Sequence, residues 1–354
     1  MKYVYILLIF IPVAFIERYI LHTNDGIIFI SSALAIVPLA VLISNATEQL
    51  ALYTGAKIGG FLNATMGNIP ELLISGFAIK AGLYAFVLAS LAGSIIGNIL
   101  MVMGFSIFVG GLRYKFQEFN KNIMRSNFAL LSFASFGIIV PFAFNSFSKN
   151  TLDKAAMSTF SVGLAIVLLG VYIVGLIFSL HTHKDIFHDA REDINGIAKP
   201  KWSFKFAIGM LLLTTVFIAF MSETLVATVE KAAQQFSLSQ AFIGIILIPI
   251  LGNVAEHTSA VIMSYRGKLD ISIEIAAGSS MQIALFVTPL MVIFSAFLGN
   301  TMEYIYTPGE IFGIVIGIVM AGFVLLDQKT NWLEGFQLIV AYIVLGAAFL
   351  FFGV

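Results

Sequence analysis

The chain has 354 residues, of which 59% are hydrophobic and 11% charged, and a formal net charge of zero. Its mean hydropathy is +0.99. Soluble domains carry about 25% charged residues, so a large soluble enzyme is excluded, and a neutral chain offers no basic surface for nucleic acid. The lack of cysteine removes disulfides, thiolate metal sites and cysteine nucleophiles.

Apolar runs of about 20 residues recur along the whole length, the pattern of helices that cross a bilayer. Strand-barrel alternation is missing, which leaves an α-helical bundle. The expected fold class is therefore an all-α polytopic membrane protein. The first run, "MKYVYILLIFIPVAFIERYIL", lacks a small-residue cleavage site and is long enough to remain as a first helix. In chain order the predicted spans are 3–22, 27–50, 58–80, 84–112, 126–147, 156–181, 204–229, 239–264, 270–298, 307–326 and 333–353, eleven in all. An odd number places the termini on opposite sides.

Fourteen of the 19 Lys and Arg residues fall at the N-terminus or in the loops after predicted helices 2, 4, 6, 8 and 10. The other five are Arg18, Lys80, Lys149, Lys154 and Lys231. By the positive-inside rule the richer side is cytoplasmic. The N-terminus is then cytoplasmic and the C-terminus outside, in a prokaryotic-type cytoplasmic membrane. The segment 182–203 becomes a cytoplasmic loop of mixed charge, either a solvated linker or a cation-sensing element.

Sliding the chain along itself by 185 residues aligns Gly59 with Gly244, Leu62 with Leu247, Gly67 and Asn68 with Gly252 and Asn253, and Glu71 with Glu256. The register continues through Gly82 with Gly267 and "AGS" at 92–94 with "AGS" at 277–279, without a gap. Upstream, an offset of 175 pairs Glu48 with Glu223. The predicted organisation is a first helix (1–22), repeat 1 (23–181, helices 2–6), the loop (182–203) and repeat 2 (204–354, helices 7–11). Five helices per repeat is an odd number, so the second repeat enters the membrane inverted. Inverted repeats are a transporter signature, with the site near the midplane where broken helices meet.

The repeated motif supplies the chemistry. Glu71 and Glu256 lie deep in predicted spans, where an ionisable group faces a partner or a cavity. Two carboxylates meeting across a symmetry axis repel unless protons or a hard cation sit between them. Calcium takes six to eight oxygens from carboxylates, amides, carbonyls and water, and the surroundings offer these. Asn68 and Asn253 precede the glutamates by three residues, on the same helical face. Gly67, Pro70, Pro249 and Gly252 are expected to unwind the helices and free carbonyls. Ser94, Asn98, Ser279, Ser280 and Gln282 add neutral oxygens, although "AGS" also suits close helix packing. The asparagines serve equally well as interhelical ties. No thiol or multi-histidine set points to zinc or copper. Calcium and protons compete for the same oxygens, the minimum requirement for exchange.

His257, beside Glu256, reads as a second-layer partner, a proton relay or a packing histidine. Glu48 and Glu223 read as gating or proton-accepting groups, or as solvated ones, and Glu274 as an entrance or capping carboxylate.

With both motifs in hand, the sequence resembles the calcium/proton antiporter (cation/proton exchanger) family of the calcium/cation antiporter superfamily. "GNVAEH" at 252–257 and "GSSMQIALF" at 278–286 are close to that family's second-repeat pattern. The resemblance spans nearly the whole chain. It implies calcium moved against an inward proton flow, with calcium ions and protons as substrates and no prosthetic group. It also implies Glu71 and Glu256 as the central pair, assisted by Asn68, Asn253 and nearby backbone, with helices 2 and 7 as the moving gate. "GNIPE" at 67–71 departs from the family's usual Ala or Val before Glu and is similar to sodium/calcium exchangers, whereas "AEH" favours protons. The rival readings are a sodium-coupled calcium exchanger and a cation channel. An enzyme would need a nucleophile or metal triad that the sequence lacks. Lipid is the surrounding partner, and a homo-oligomer is compatible with the sequence.

Overall fold

The structure is a computed structural model that describes residues 2–148, 153–183 and 200–353. We number its helices α1 (Tyr3–Leu21), α2 (Asp25–Met66), α3 (Ile69–Lys80), α4 (Tyr84–Arg113), α5 (Lys121–Phe147) and α6 (Lys154–Thr182). They continue as α7 (Phe204–Phe236), α8 (Gln240–Gly252), α9 (Val254–Tyr265), α10 (Leu269–Phe297), α11 (Pro308–Val324) and α12 (Trp332–Phe352). Among the described residues eight helices are long and apolar enough to cross a membrane, or nine if α8 and α9, bent by 64°, count as one span. Most of the predicted segment 182–203 lies outside the described residues.

The predicted loop after residue 50 is helical instead, and α2 continues to Met66. Its direction changes at Gly55, whose φ of 77° and ψ of 172° belong to a region only glycine occupies readily. α7 likewise runs past the predicted end at 229 to Phe236, because "EKAAQQF" is rich in helix formers; Ser237 ends it in the left-handed region.

α4 is the central rod, with every residue from Phe86 to Ile96 buried. A helix apolar on all sides is at home only inside a bundle. α2 and α7 run antiparallel along each other. Asp25 pairs with Lys231 at 3.1 Å near one end, and Gln49 accepts from the Lys201 amide at 2.7 Å near the other. α1 lies on the outside, exposing Tyr3, Ile6, Ile20 and Leu21. Two short strands, β1 (Gln117–Glu118) and β2 (Lys329–Thr330), pair antiparallel and join the loop after α4 to the loop after α11.

The segments aligned by the 185-residue offset share backbone geometry. Asn68 (φ −92°, ψ 14°) and Asn253 (φ −101°, ψ 14°) both break their helices in the sparsely populated bridge region. Gly82 and Gly267 both turn in the left-handed region, at φ 77° and 80°. α4 and α10 both widen into π-helical turns at matching heights, Gly97–Val102 and Ile283–Val287.

Candidate functional site

The site forms where the two breaks face each other. At each, one asparagine interrupts the helix and the glutamate starts the next one, so both carboxylates project from a first helical turn. Pro70 sits in the first turn of α3, where a missing N–H sacrifices no hydrogen bond, and Pro249 lies within α8 just after its π-helical turn Ile243–Leu247.

The expected unwinding is narrower than predicted. The Asn68 carbonyl accepts from the Leu72 amide at 3.0 Å and that of Asn253 from the His257 amide at 2.9 Å. Both already serve the next helix. The two asparagines therefore occupy the breaks and do not share a helical face with their glutamates. Asn68 Nδ2 donates to Gln282 Oε1 at 2.7 Å, tying the first break to α10. Asn253 Nδ2 donates to the Pro249 carbonyl at 3.1 Å.

The two glutamates cross over. A Cβ placed on Gly252 would lie 2.8 Å from Glu71 Oε1, and one placed on Gly67 would lie 3.3 Å from Glu256 Oε1. Each carboxylate thus rests against the glycine of the opposite motif, a position that any side chain would obstruct. Glu71 is 4% exposed, with neither oxygen in a hydrogen bond of ordinary geometry, although the Asn253 side chain lies beside it. Glu256 is partly exposed, and its Oε2 accepts the Ser279 hydroxyl. The two carboxylates are close enough to act on each other electrostatically.

A cavity of about 320 Å³ reaches this centre from one end of the bundle. It is lined at the breaks by Gly67, Gly252, Glu256, Ser279 and Gln282, and towards the helix ends beside the loops after α4, α6 and α9 by Ser126, Leu180, Met263 and Ile271. Glu48 and Glu274 line it; Glu71 does not. Glu223 is exposed and outside it.

The remaining predicted groups separate. Asn98 Oδ1 lies 3.2 Å from His257 Nε2, while Asn98 Nδ2 is buried without a partner. The Ser94 hydroxyl is buried without a partner as well. Ser280 turns back onto the Ala276 carbonyl at 3.0 Å, away from the glutamates. Asn63, Asn127 and Ser259 line the cavity without having been anticipated; they have no counterparts in the repeat, and helices distant in sequence bring them together. Among the described residues no three His, Cys, Asp or Glu side chains form a metal cluster. A cation held by the carboxylate pair would complete its shell with hydroxyl, amide and water oxygens.

A family model for sodium/calcium exchanger proteins matches residues 26–181 and again 206–351. A Ca(2+)/H(+) antiporter of Aphanothece halophytica is 39% identical over 98% of this chain and 95% of its own. The Ca(2+)/H(+) antiporter ChaA of Bacillus subtilis is 40% identical over 93% of both. The structure of native YfkE superimposes with a TM-score of 0.84 at 36% identity, covering 98% of this chain and 99% of that one. An H+/Ca2+ exchanger, CAX, shares the fold at a TM-score of 0.73 and 15% identity over 98% of this chain and 91% of its own. These relatives are transporters of the group that the two GN-x-x-E motifs resemble, and the chain belongs to the sodium/calcium exchanger protein family.

Proposed function

We propose that the chain exchanges cytosolic calcium for external protons by alternating access, with Glu71 and Glu256 binding either calcium or protons. The observation that carries this reading is the reciprocal seating of each carboxylate on the glycine of the other motif. It builds one shared site from two repeats, as a transporter needs and a ring-lined pore does not. The names of the relatives support calcium and protons as the exchanged ions. Two matches to one family model support two halves.

On this reading the chain crosses the membrane eleven times. α1 is the extra helix, α2 up to Gly55 is the second span, and the rest of α2 with α3 is a broken third. α8 and α9 form the corresponding broken span of the inverted repeat. The cavity extends towards the Lys- and Arg-rich loops, and the positive-inside assignment of that end supports access from the cytoplasm. Calcium enters against Glu256 and Ser279, completes its shell on Glu71, and displaces protons that would otherwise neutralise the pair. The antiparallel pair α2 and α7 moves to close this access and open the opposite one.

The test is calcium flux into proteoliposomes under an imposed acid-inside pH gradient, for the wild type and for Glu71→Gln. Uptake that requires the gradient, is indifferent to sodium and is lost in the variant supports exchange at this site. Uptake driven by internal sodium would make the protein a sodium-coupled exchanger. Normal transport by Glu71→Gln would overturn the assignment of the site.

A further inference from the structure

We propose that the corner where α4 and α9 end is a binding site for an anionic phospholipid, with Arg113, Lys115 and Arg266 holding its headgroup. The inference goes beyond the exchange reading and needs only that the chain spans a bilayer. The loop after α4 and the turn after α9 touch. Arg113 closes α4, and its Nη1 donates to the Tyr265 carbonyl at 3.0 Å. Its guanidinium lies 4.5 Å from the centre of the Tyr265 ring and 5.4 Å from that of Tyr114, distances at which a cation is held over an aromatic face. A Cβ on Gly267 would lie 3.2 Å from the Tyr114 hydroxyl, so the turn that carries Arg266 packs on the loop that carries Lys115.

The charges at this corner are unbalanced. Arg113, Lys115 and Arg266 are exposed, and among the described residues none of them pairs with a carboxylate. The neighbouring carboxylates are engaged elsewhere. Glu118 pairs with Lys329 at 2.9 Å, Glu334 accepts the Asn331 amide at 2.9 Å, and Asp270 accepts the Asn120 amide. Asp327 precedes β2, and the pairing of Gln117 with Thr330 and Glu118 with Lys329 puts it at the far end of that ribbon from Lys115. The Tyr265 carbonyl occupies one N–H of Arg113, which leaves the rest of a five-donor fork for phosphate oxygens.

The other repeat shows that the helix ends do not require these charges. The 185-residue offset carries Arg266 onto Ala81, Arg113 onto Leu298 and Lys115 onto Asn300. Gly82 and Gly267 nonetheless make the same left-handed turn. The neighbours of the basic groups indicate what they serve. Leu112, Phe116, Trp332 and Leu333 are exposed, and Gly111 packs so tightly on Trp332 that a Cβ there would lie 2.4 Å from its backbone nitrogen. In a spanning chain, exposed apolar side chains meet acyl chains, and Lys, Arg, Trp and Tyr at helix ends lie at headgroup level. A partner that covers both kinds of group is a lipid with a negative headgroup; a zwitterionic one brings its own ammonium and gains less.

Trp332 reports on the site. The chain has two tryptophans, so Trp202→Phe leaves Trp332 alone, and bromine on an acyl chain quenches its fluorescence on contact. The full chain is reconstituted in phosphatidylcholine vesicles containing either brominated phosphatidylglycerol or brominated phosphatidylcholine at the same mole fraction. We expect quenching that corresponds to about fivefold local enrichment of phosphatidylglycerol, the factor that one basic group provides at an anionic surface. Lys115→Gln with Arg266→Gln should abolish the enrichment while sparing the Arg113–Tyr265 bond, and an unchanged melting temperature is the control for folding. Lys115→Arg with Arg266→Lys, which keeps both charges, should retain it. Equal quenching by the two lipids, enrichment that survives Lys115→Gln with Arg266→Gln, or its loss in the charge-preserving pair overturns the site. Relief of quenching by inorganic phosphate at constant ionic strength would reassign the corner to soluble anions and overturn the lipid as its occupant. No transport is read, so these outcomes are independent of the flux assay that tests the exchange reading.

Discussion

The two halves of the site are near copies in sequence and unequal in structure. Glu71 is sealed from solvent with no ordinary hydrogen bond, whereas Glu256 meets the cavity and takes the Ser279 hydroxyl. The glycines of the two AGS segments differ in the same sense. A Cβ on Gly93 would collide with the Ile245 backbone, while one on Gly278 would have no neighbour within 4 Å. Identical local chemistry has thus been placed once in a closed helix crossing and once in an open one. On the proposed inverted-repeat reading this is the expected appearance of one access state, with the opposite state obtained by exchanging the two environments.

The largest expected effect comes from removing either carboxylate. Glu71→Gln and Glu256→Gln should each reduce gradient-driven calcium uptake to the level of empty vesicles, although only Glu256 touches the cavity. Activity in one variant and none in the other would mean that the symmetry of the motifs does not extend to their function.

Next are the glycines on which the carboxylates rest. Gly252→Ala places a methyl group 2.8 Å from Glu71 Oε1, and Gly67→Ala places one 3.3 Å from Glu256 Oε1 and 2.7 Å from the Asn63 carbonyl. Both should cut the transport rate by about tenfold or more, since a misplacement near 1 Å costs on the order of a hundredfold in a positioned site. Wild-type rates for Gly252→Ala would show that Glu71 works from a different position.

Much of this was legible in the chain itself, because hydropathy and a 185-residue register depend only on local residue identity. The motif glutamates and the match of Gly82 to Gly267 follow from local residue identity, whereas the breaks fall on Asn68 and Asn253 and not on the neighbouring glycines, which stay helical. What the sequence could not show depends on contacts across the bundle. Nothing near Glu71 in the sequence indicates that its oxygen lies on Gly252, or that Asn68 Nδ2 donates to Gln282 Oε1. The predicted span 27–50 stops short of Gly55, where the non-helical backbone separates the first helical stretch from the one that reaches Met66.

The asymmetry of the AGS segments can be tested directly. The 185-residue offset carries the close contact of Gly93 with Ile245 onto Gly278 and Gly60, two residues that line the open cavity. In the opposite state these two should meet. The chain has no cysteine, so Gly60→Cys with Gly278→Cys gives a clean pair, and a disulfide requires Cα atoms within about 7 Å. Oxidation under turnover should form the bond and stop uptake, and reduction should restore it. A cross-linked protein that still transports would show that this mouth does not close at that crossing.

The smallest effect is also the most discriminating, because it depends on the side from which calcium arrives. In this state Ser279 donates to Glu256 while Ser94 has no partner. A hydrogen bond to a charged group contributes about 1.5–3 kcal/mol when fully buried, and Glu256 is partly exposed. Ser279→Ala should therefore raise the KM for calcium presented at the cavity mouth by no more than about tenfold. If the two environments exchange in the opposite state, Ser94 takes up the donor role towards Glu71 there. Ser94→Ala should then leave the mouth-side KM nearly unchanged and raise the KM measured from the other face, in vesicles of opposite orientation. Equal effects of both variants on the same face would mean that the inequality of the two half-sites is fixed in the fold and does not alternate with transport.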